Sequence, residues 1–214
     1  MASTPPPPTN ILLVRHGQTG TTGKVLPGRA RGLHLSDTGR TQAEGAAGLI
    51  ADGPPVAGLY TSPLERARET AAPIAAAIGQ KAVVDKGLLE CDFGDWTGRR
   101  LATLAKKPEW RTVQRAPSTF RFPNGESFAE MQLRMVSTLD RLRARHAGET
   151  VVCVSHADPI KAAVAYAIGS HLDSFQRIVI STCSISVLAW PTGGAPIVLA
   201  VNHTSRPLKE LALS

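Results

Sequence analysis

Ile11-Leu12-Leu13-Val14 is an apolar run of the kind a buried strand requires, and it stops on Arg15-His16-Gly17-Gln18-Thr19. A strand that ends on a cation, an imidazole and a glycine delivers both side chains to a sheet edge, where open α/β sheets keep their ligand crevice. The pattern recurs. Val151-Val152-Cys153-Val154 leads into Ser155-His156 and then Ala157-Asp158-Pro159. A helix starting there would aim free N–H groups at the same edge, a natural anion site. Two strand-end histidines in one chain call for a fold that carries both strands to a common edge.

The rest of the chain is consistent with such a fold. Short β-rich runs are expected at residues 11–14, 58–60, 82–84, 151–154, 185–188 and 197–201. Helical patterns lie between them. Asp37 is expected to cap a helix over 38–51, broken by Asp52-Gly53-Pro54-Pro55. Ser62-Pro63 reads as an N-cap with proline at the first helical position, opening a helix to about residue 78 that Gly79 closes. Residues 127–146 place Phe128, Met131, Met135, Leu139 and Leu142 on one helix face. Asp158-Pro159 opens a further helix to about 168, stopped at Gly169. Strands alternating with helices predict a three-layer α/β/α domain around a mostly parallel sheet. The last two strands, joined by a Gly/Pro-rich turn, predict a hairpin and an antiparallel edge. The segment 86–123 fits no regular pattern and reads as an excursion over the sheet edge. The organisation expected is a disordered Pro-rich tail at 1–9, one domain at 10–205 and a C-terminal tail at 206–214.

Composition narrows the function classes. The 214 residues are 43% hydrophobic and 19% charged, as in a globular domain. The net charge of +7 favours anionic ligands. Its basic residues are scattered and its ten aromatics dispersed, so no nucleic-acid stacking platform is expected. Cys91, Cys153 and Cys183 are far apart and form no C-x-x-C, which gives no metal or redox signature. No signal peptide or membrane-length apolar stretch is read, so the expected setting is cytoplasmic. Oligomeric state is open, a homodimer included.

Two further segments carry candidate chemistry. In Leu59-Tyr60-Thr61-Ser62-Pro63-Leu64-Glu65-Arg66-Ala67-Arg68-Glu69-Thr70, Arg66 lies about one turn into a helix and can reach back over its N-terminus. On a solvated face it would instead pair with Glu65 or Glu69. In Leu88-Leu89-Glu90-Cys91-Asp92-Phe93-Gly94-Asp95-Trp96-Thr97-Gly98, Glu90 follows two apolar residues. Such a setting raises a carboxyl pKa, as a general acid requires. Spacing alone does not rank it above Asp92 and Asp95.

Taken together, these blocks resemble the histidine phosphatase superfamily, the phosphoglycerate mutase-like fold. The resemblance rests on Arg15-His16-Gly17-Gln18-Thr19, Leu35-Ser36-Asp37-Thr38-Gly39, Ser62-Pro63-Leu64-Glu65-Arg66, the loop after Glu90, Gly125-Glu126-Ser127 and Ser155-His156, in that order. It implies that His16 is a nucleophile forming a phosphohistidine. Arg15, Arg66 and His156 would then hold phosphate oxygens, and Glu90 would be the proton donor. A neutral imidazole is a competent nucleophile near pH 7, and guanidinium groups bind phosphate through paired hydrogen bonds. No metal or cofactor is implied, because the cationic pocket supplies the charge. The partner implied is a phosphorylated small molecule. Gln18, Thr22 and Glu126 match family positions near the pocket, as further substrate contacts.

The departures favour the phosphatase branch, which includes broad-specificity and α-ribazole phosphatase-like enzymes. The mutase pattern Glu-Arg-His-Tyr-Gly is replaced by Glu90-Cys91-Asp92-Phe93-Gly94, and Thr22 stands where many relatives carry asparagine. A mutase arginine falls near Leu26, with Arg29 and Arg31 as displaced substitutes. The reading is a metal-independent phosphomonoesterase. A phosphomutase and a non-catalytic phospholigand-binding module are the alternatives. Substrate choice is expected in the excursion, where Trp96, Trp110, Arg99, Arg111, Arg115 and Arg121 are candidates for the mouth.

Overall fold

A computed structural model describes residues 6–204; the expected C-terminal tail at 206–214 and the first residues of the N-terminal tail lie outside them. Six strands form one sheet: β1 (Thr9–Arg15), β2 (Val56–Thr61), β3 (Ala82–Val84), β4 (Thr150–Ser155), β5 (Ile185–Trp190) and β6 (Ile197–His203), in the order β3-β2-β4-β1-β5-β6. β1 to β4 are mutually parallel where they pair, while β5 runs antiparallel to both β1 and β6. The hairpin thus joins the sheet through an antiparallel contact with its centre. β1 starts at Thr9, inside the expected tail. Its hydroxyl donates to the His146 carbonyl at 3.3 Å and accepts from the Gly148 amide at 2.9 Å.

Apolar runs in the central strands are explained by burial on both faces. Ile11 and Leu13 of β1, with Val151 and Cys153 of β4, face the helices α5 (Phe128–Arg145) and α6 (Ala157–Ala167). The alternate residues Val14, Val152 and Val154 face α1 (Asp37–Ala51) and α2 (Glu65–Ile78). This is the period-two division of a strand between two helical layers. Ser127 caps α5 in a reciprocal box with Glu130, and Gly79 closes α2 at φ +65°.

Two helix starts differ from expectation. Ser36, not Asp37, caps α1 by accepting from the Gly39 amide at 3.1 Å, and Asp37 sits in the first turn, where negative charge suits the helix dipole. α2 begins at Glu65, with Leu64 at the cap and no side-chain cap bond. Ser62 is engaged elsewhere, in the site described below.

The 86–123 segment is not irregular throughout. It contains α3 (Leu101–Leu104), α4 (Trp110–Arg115) and three short 3-10 turns. Phe93, Trp96, Phe122, Phe128 and Phe175 form an edge-to-face aromatic cluster with centroid separations of 4.8 to 5.5 Å. This satellite core anchors the excursion to α5 and α6.

Glycine decides one contact that shapes the site. A Cβ on Gly17 would lie 2.5 Å from the Gly39 carbonyl oxygen, and one on Gly39 would lie 2.1 Å from the Gln18 carbonyl oxygen. The chain leaving β1 therefore lies directly on the first turn of α1. By helix propensity alone Gly39→Ala would gain up to about 1 kcal/mol. Here the new methyl meets backbone that cannot rotate away, so overpacking wins. The expected net cost is about 1–3 kcal/mol, read as a fall of several degrees in melting midpoint.

Candidate active site

Register brings the two histidines together. Arg15 of β1 pairs with Ser155 of β4, and the His16 amide donates to the Ser155 carbonyl at 3.0 Å. The next residue on each strand is a histidine, and their rings meet edge to face with centroids 5.1 Å apart. On the far side of β4, Thr61 of β2 pairs with Val154, which carries Ser62 to the same edge. In the first turn of α2, Arg66 reaches back, fully buried, and its Nε donates to His16 Nε2 at 3.2 Å.

The protonation pattern of His16 follows from its partners. Nδ1 lies 2.7 Å from the Gly17 carbonyl oxygen, which can only accept. Nδ1 therefore carries the proton, and Nε2, accepting from Arg66, presents a lone pair. Burial, then the guanidinium groups of Arg66 and Arg15, holds the His16 pKa well below the ordinary imidazole value. His156 is lowered likewise, first by burial and then by Arg66, His16 and Arg15. Both rings are neutral around pH 7.

Three buried nitrogens near His16 have no hydrogen-bond partner among the described residues: the guanidinium donors Arg15 Nε and Arg66 Nη1, and His156 Nδ1. The remaining contacts of the arginines hold them in place. Arg15 Nη1 donates to the Ile180 carbonyl at 2.6 Å, and Arg66 Nη2 to the Gly28 carbonyl at 2.8 Å. Each unpaired buried polar group costs about 1–3 kcal/mol, so three of them beside one imidazole mark a site built for a polar ligand.

A cavity of about 420 Å³ opens at this edge, and Arg15, His16, Thr22 and Glu90 line it. Arg66 and His156 each contact His16 but are not on the lining themselves. Glu90 is buried, and its carboxylate accepts from the Cys91 amide at 2.9 Å. Burial, with a further contribution from Asp158, raises its pKa to about 7. Neither Asp92 nor Asp95 lines the cavity.

Gln18 lies off the cavity lining. Its amide donates to Gln42 Oε1 at 3.0 Å and its carbonyl accepts from the Ser36 amide at 2.9 Å, which ties the loop to α1. Thr22 is on the lining, and its Oγ1 accepts from the Thr19 amide at 2.9 Å. Glu126 and Arg29 are not on it either; they form a clamp. Glu126 receives Arg134 through two bonds of 2.9 Å and Arg29 at 3.0 Å. Arg29 Nε also donates to the Glu90 carbonyl at 2.9 Å, and Arg134 Nη1 to those of Gly87 and Leu89 at 2.8 and 2.9 Å. The clamp fixes the backbone on either side of Glu90. Arg134→Met is expected to cost about 2–3 kcal/mol and to speed amide exchange across residues 87–92. Unchanged exchange there would show that the clamp does not hold the segment.

None of Trp96, Trp110, Arg99, Arg111, Arg115 and Arg121 lines the cavity, and Arg31 does not. Trp96 is buried in the aromatic cluster, and Arg121 pairs with Glu130. The outer wall comes instead from Asp158 and Lys161 of α6, paired at 3.2 Å, and from Gln176, which accepts from Lys161 at 3.1 Å. The i,i+3 spacing of Asp158 and Lys161 just after His156 was the available sequence signal for that wall.

Residues 11–203 match the family model of the histidine phosphatase superfamily, branch 1. The chain belongs to the histidine phosphatase superfamily. Among superfamily relatives, it is 34% identical over 204 residues to the bifunctional protein Rv2228c of Mycobacterium tuberculosis, covering 92% of this chain and 54% of that one. It therefore spans about half the length of that curated relative. It is 32% identical to phosphoserine phosphatase 1 of Hydrogenobacter thermophilus, covering 83% and 85% of the two chains. The solved phosphoserine phosphatase of Entamoeba histolytica, in complex with 3-phosphoglyceric acid, superposes with a TM-score of 0.82 at 25% identity, covering 92% and 98%. The six-stranded sheet and its flanking helices are thus the phosphoglycerate mutase-like fold of this superfamily.

Proposed function

We propose that the protein is a metal-independent phosphomonoesterase that hydrolyses a small phosphorylated metabolite through a phosphohistidine at His16. The observation that carries this reading is the set of three unpartnered buried nitrogens, two of them guanidinium donors, around an imidazole whose Nε2 is unprotonated. A phosphate ester supplies the missing acceptors. Arg15, Arg66 and His156 bind its oxygens, and Arg66 exchanges its bond to His16 for one to phosphate. The His16 lone pair attacks phosphorus, and the P–O bond to the alcohol breaks. Glu90, protonated below about pH 7, donates its proton to the leaving oxygen. The resulting carboxylate then takes a proton from water, which attacks the phosphohistidine and releases phosphate. Guanidinium groups stabilise charge on the equatorial oxygens throughout.

Thr22 is a further substrate contact at the rim. The cavity volume fits a metabolite rather than a macromolecule. The phosphoserine phosphatase relatives support small phosphorylated acids as the first substrates to try. We read the scattered positive charge as serving anionic small ligands, with no role for nucleic acid. Three buried free cysteines fit a reducing, cytoplasmic setting, and no helix among the described residues is long and apolar enough to cross a membrane.

A panel of phosphorylated metabolites tests the reading. Phosphate release in step with substrate loss is expected. A phosphate group moved within the substrate, without release, would indicate a mutase; binding with no turnover of any ester would indicate a binding module.

A further inference from the structure

Ser62 and His156 meet beside the nucleophile. Both are fully buried, and Ser62 Oγ lies 2.8 Å from His156 Nε2. The sheet fixes this approach, because the Ser62 amide donates to the Val154 carbonyl at 2.9 Å, two residues before His156. The hydroxyl also accepts a long bond from the Leu64 amide at 3.4 Å. Among the described residues its own proton has one acceptor, His156 Nε2.

A ring nitrogen that accepts leaves the proton on the other one. That other nitrogen, Nδ1, is one of the three unpartnered buried nitrogens of the site. We propose that Ser62 is a positioning residue: by donating to His156 Nε2 it keeps the ring in the Nδ1–H tautomer, so that a neutral N–H faces the bound phosphate. What Nδ1–H donates to rests on the phosphatase reading; the tautomer itself does not. The opposite tautomer would turn a lone pair towards an anion and leave the Ser62 proton without an acceptor. Double protonation is no remedy, because burial and the facing Arg66, His16, Arg15 and Arg134 disfavour a charged ring.

Imidazole 15N NMR of the wild-type protein tests this, with the His156 signals assigned by their loss in a His156→Gln variant. Nδ1 is expected to be protonated and Nε2 unprotonated. In Ser62→Ala the ring is expected to move towards the other tautomer, and inorganic phosphate to bind about tenfold more weakly. Ser62→Thr, which keeps the hydroxyl, should restore both. A wild-type ring protonated at Nε2 overturns the proposal, whether or not Ser62→Ala folds. So does a folded Ser62→Ala variant with the wild-type tautomer and phosphate affinity. Absence of turnover with Nδ1–H intact counts against the phosphatase reading and leaves the tautomer assignment standing.

Discussion

His16→Ala is expected to lower phosphomonoester turnover by on the order of 10⁴- to 10⁶-fold, because it removes the atom that forms the covalent intermediate. Inorganic phosphate should still bind. Arg15 remains anchored on the Ile180 carbonyl, Arg66 on that of Gly28 and His156 on Ser62, so the donors stay in place. Arg66 Nε, freed from the imidazole, gains a bond to offer. Kinetics with a chromogenic ester and calorimetric titration of phosphate separate the two effects. A variant that lost phosphate binding in proportion to turnover would make His16 a binding residue rather than the nucleophile.

Glu90→Gln should divide substrates by leaving group. Alkyl phosphates need a proton on the departing oxygen, and their turnover should fall by about 10²- to 10⁴-fold. Esters of acidic phenols need it far less and should fall much less. In the wild type, the charged groups acting on Glu90 are Asp158 from α6, Arg66 from α2 and Arg15 from β1, and His16 and Lys161 share its cavity. Burial outweighs the arginines and sets its pKa near 7. Alkyl-ester turnover should therefore decline as pH rises through about 7, a limb that Glu90→Gln abolishes. Stability follows the same titration. The folded pKa exceeds the ordinary carboxyl value of 4.5, so the folded state holds a proton that the unfolded state has released. That contribution is complete below about pH 4.5 and is lost as pH rises to about 7. Equal losses for alkyl and phenolic esters would remove the proton-donor role.

Much of this site was legible in the chain because its residues sit at strand ends. Apolar runs buried on both faces have few ways to be read, and the residue after each run then falls at the sheet edge. Arg15, His16 and His156 could be placed by that reasoning. Glu90 could not be ranked above Asp92 and Asp95 from spacing, because what distinguishes it is burial. The backbone around it is held by a clamp formed by Arg29, Glu126 and Arg134, which come from two segments distant from it in sequence. The excursion does contribute Glu90, Phe93 and Leu101 to the cavity, but the six candidates for its mouth are not on the lining, for a related reason. Tryptophans in an apparently irregular segment suggested a mouth, but the aromatics there pack on one another and on α5 and α6. The polar residues of α6 were free to line the cavity instead. Ser62 looked like a helix cap by type and position; a histidine from another strand competes for its hydroxyl, and no local pattern records that.

The central claim is a covalent bond between His16 and phosphorus. Rapid quenching during turnover, under alkaline conditions that preserve phosphohistidine, followed by peptide mass spectrometry, tests it most directly. One phosphoryl group on His16, appearing within the first turnover and absent from His16→Ala, is the expected result. Sustained phosphate release with no phosphoryl group on His16, or with the label on another residue, would contradict the account.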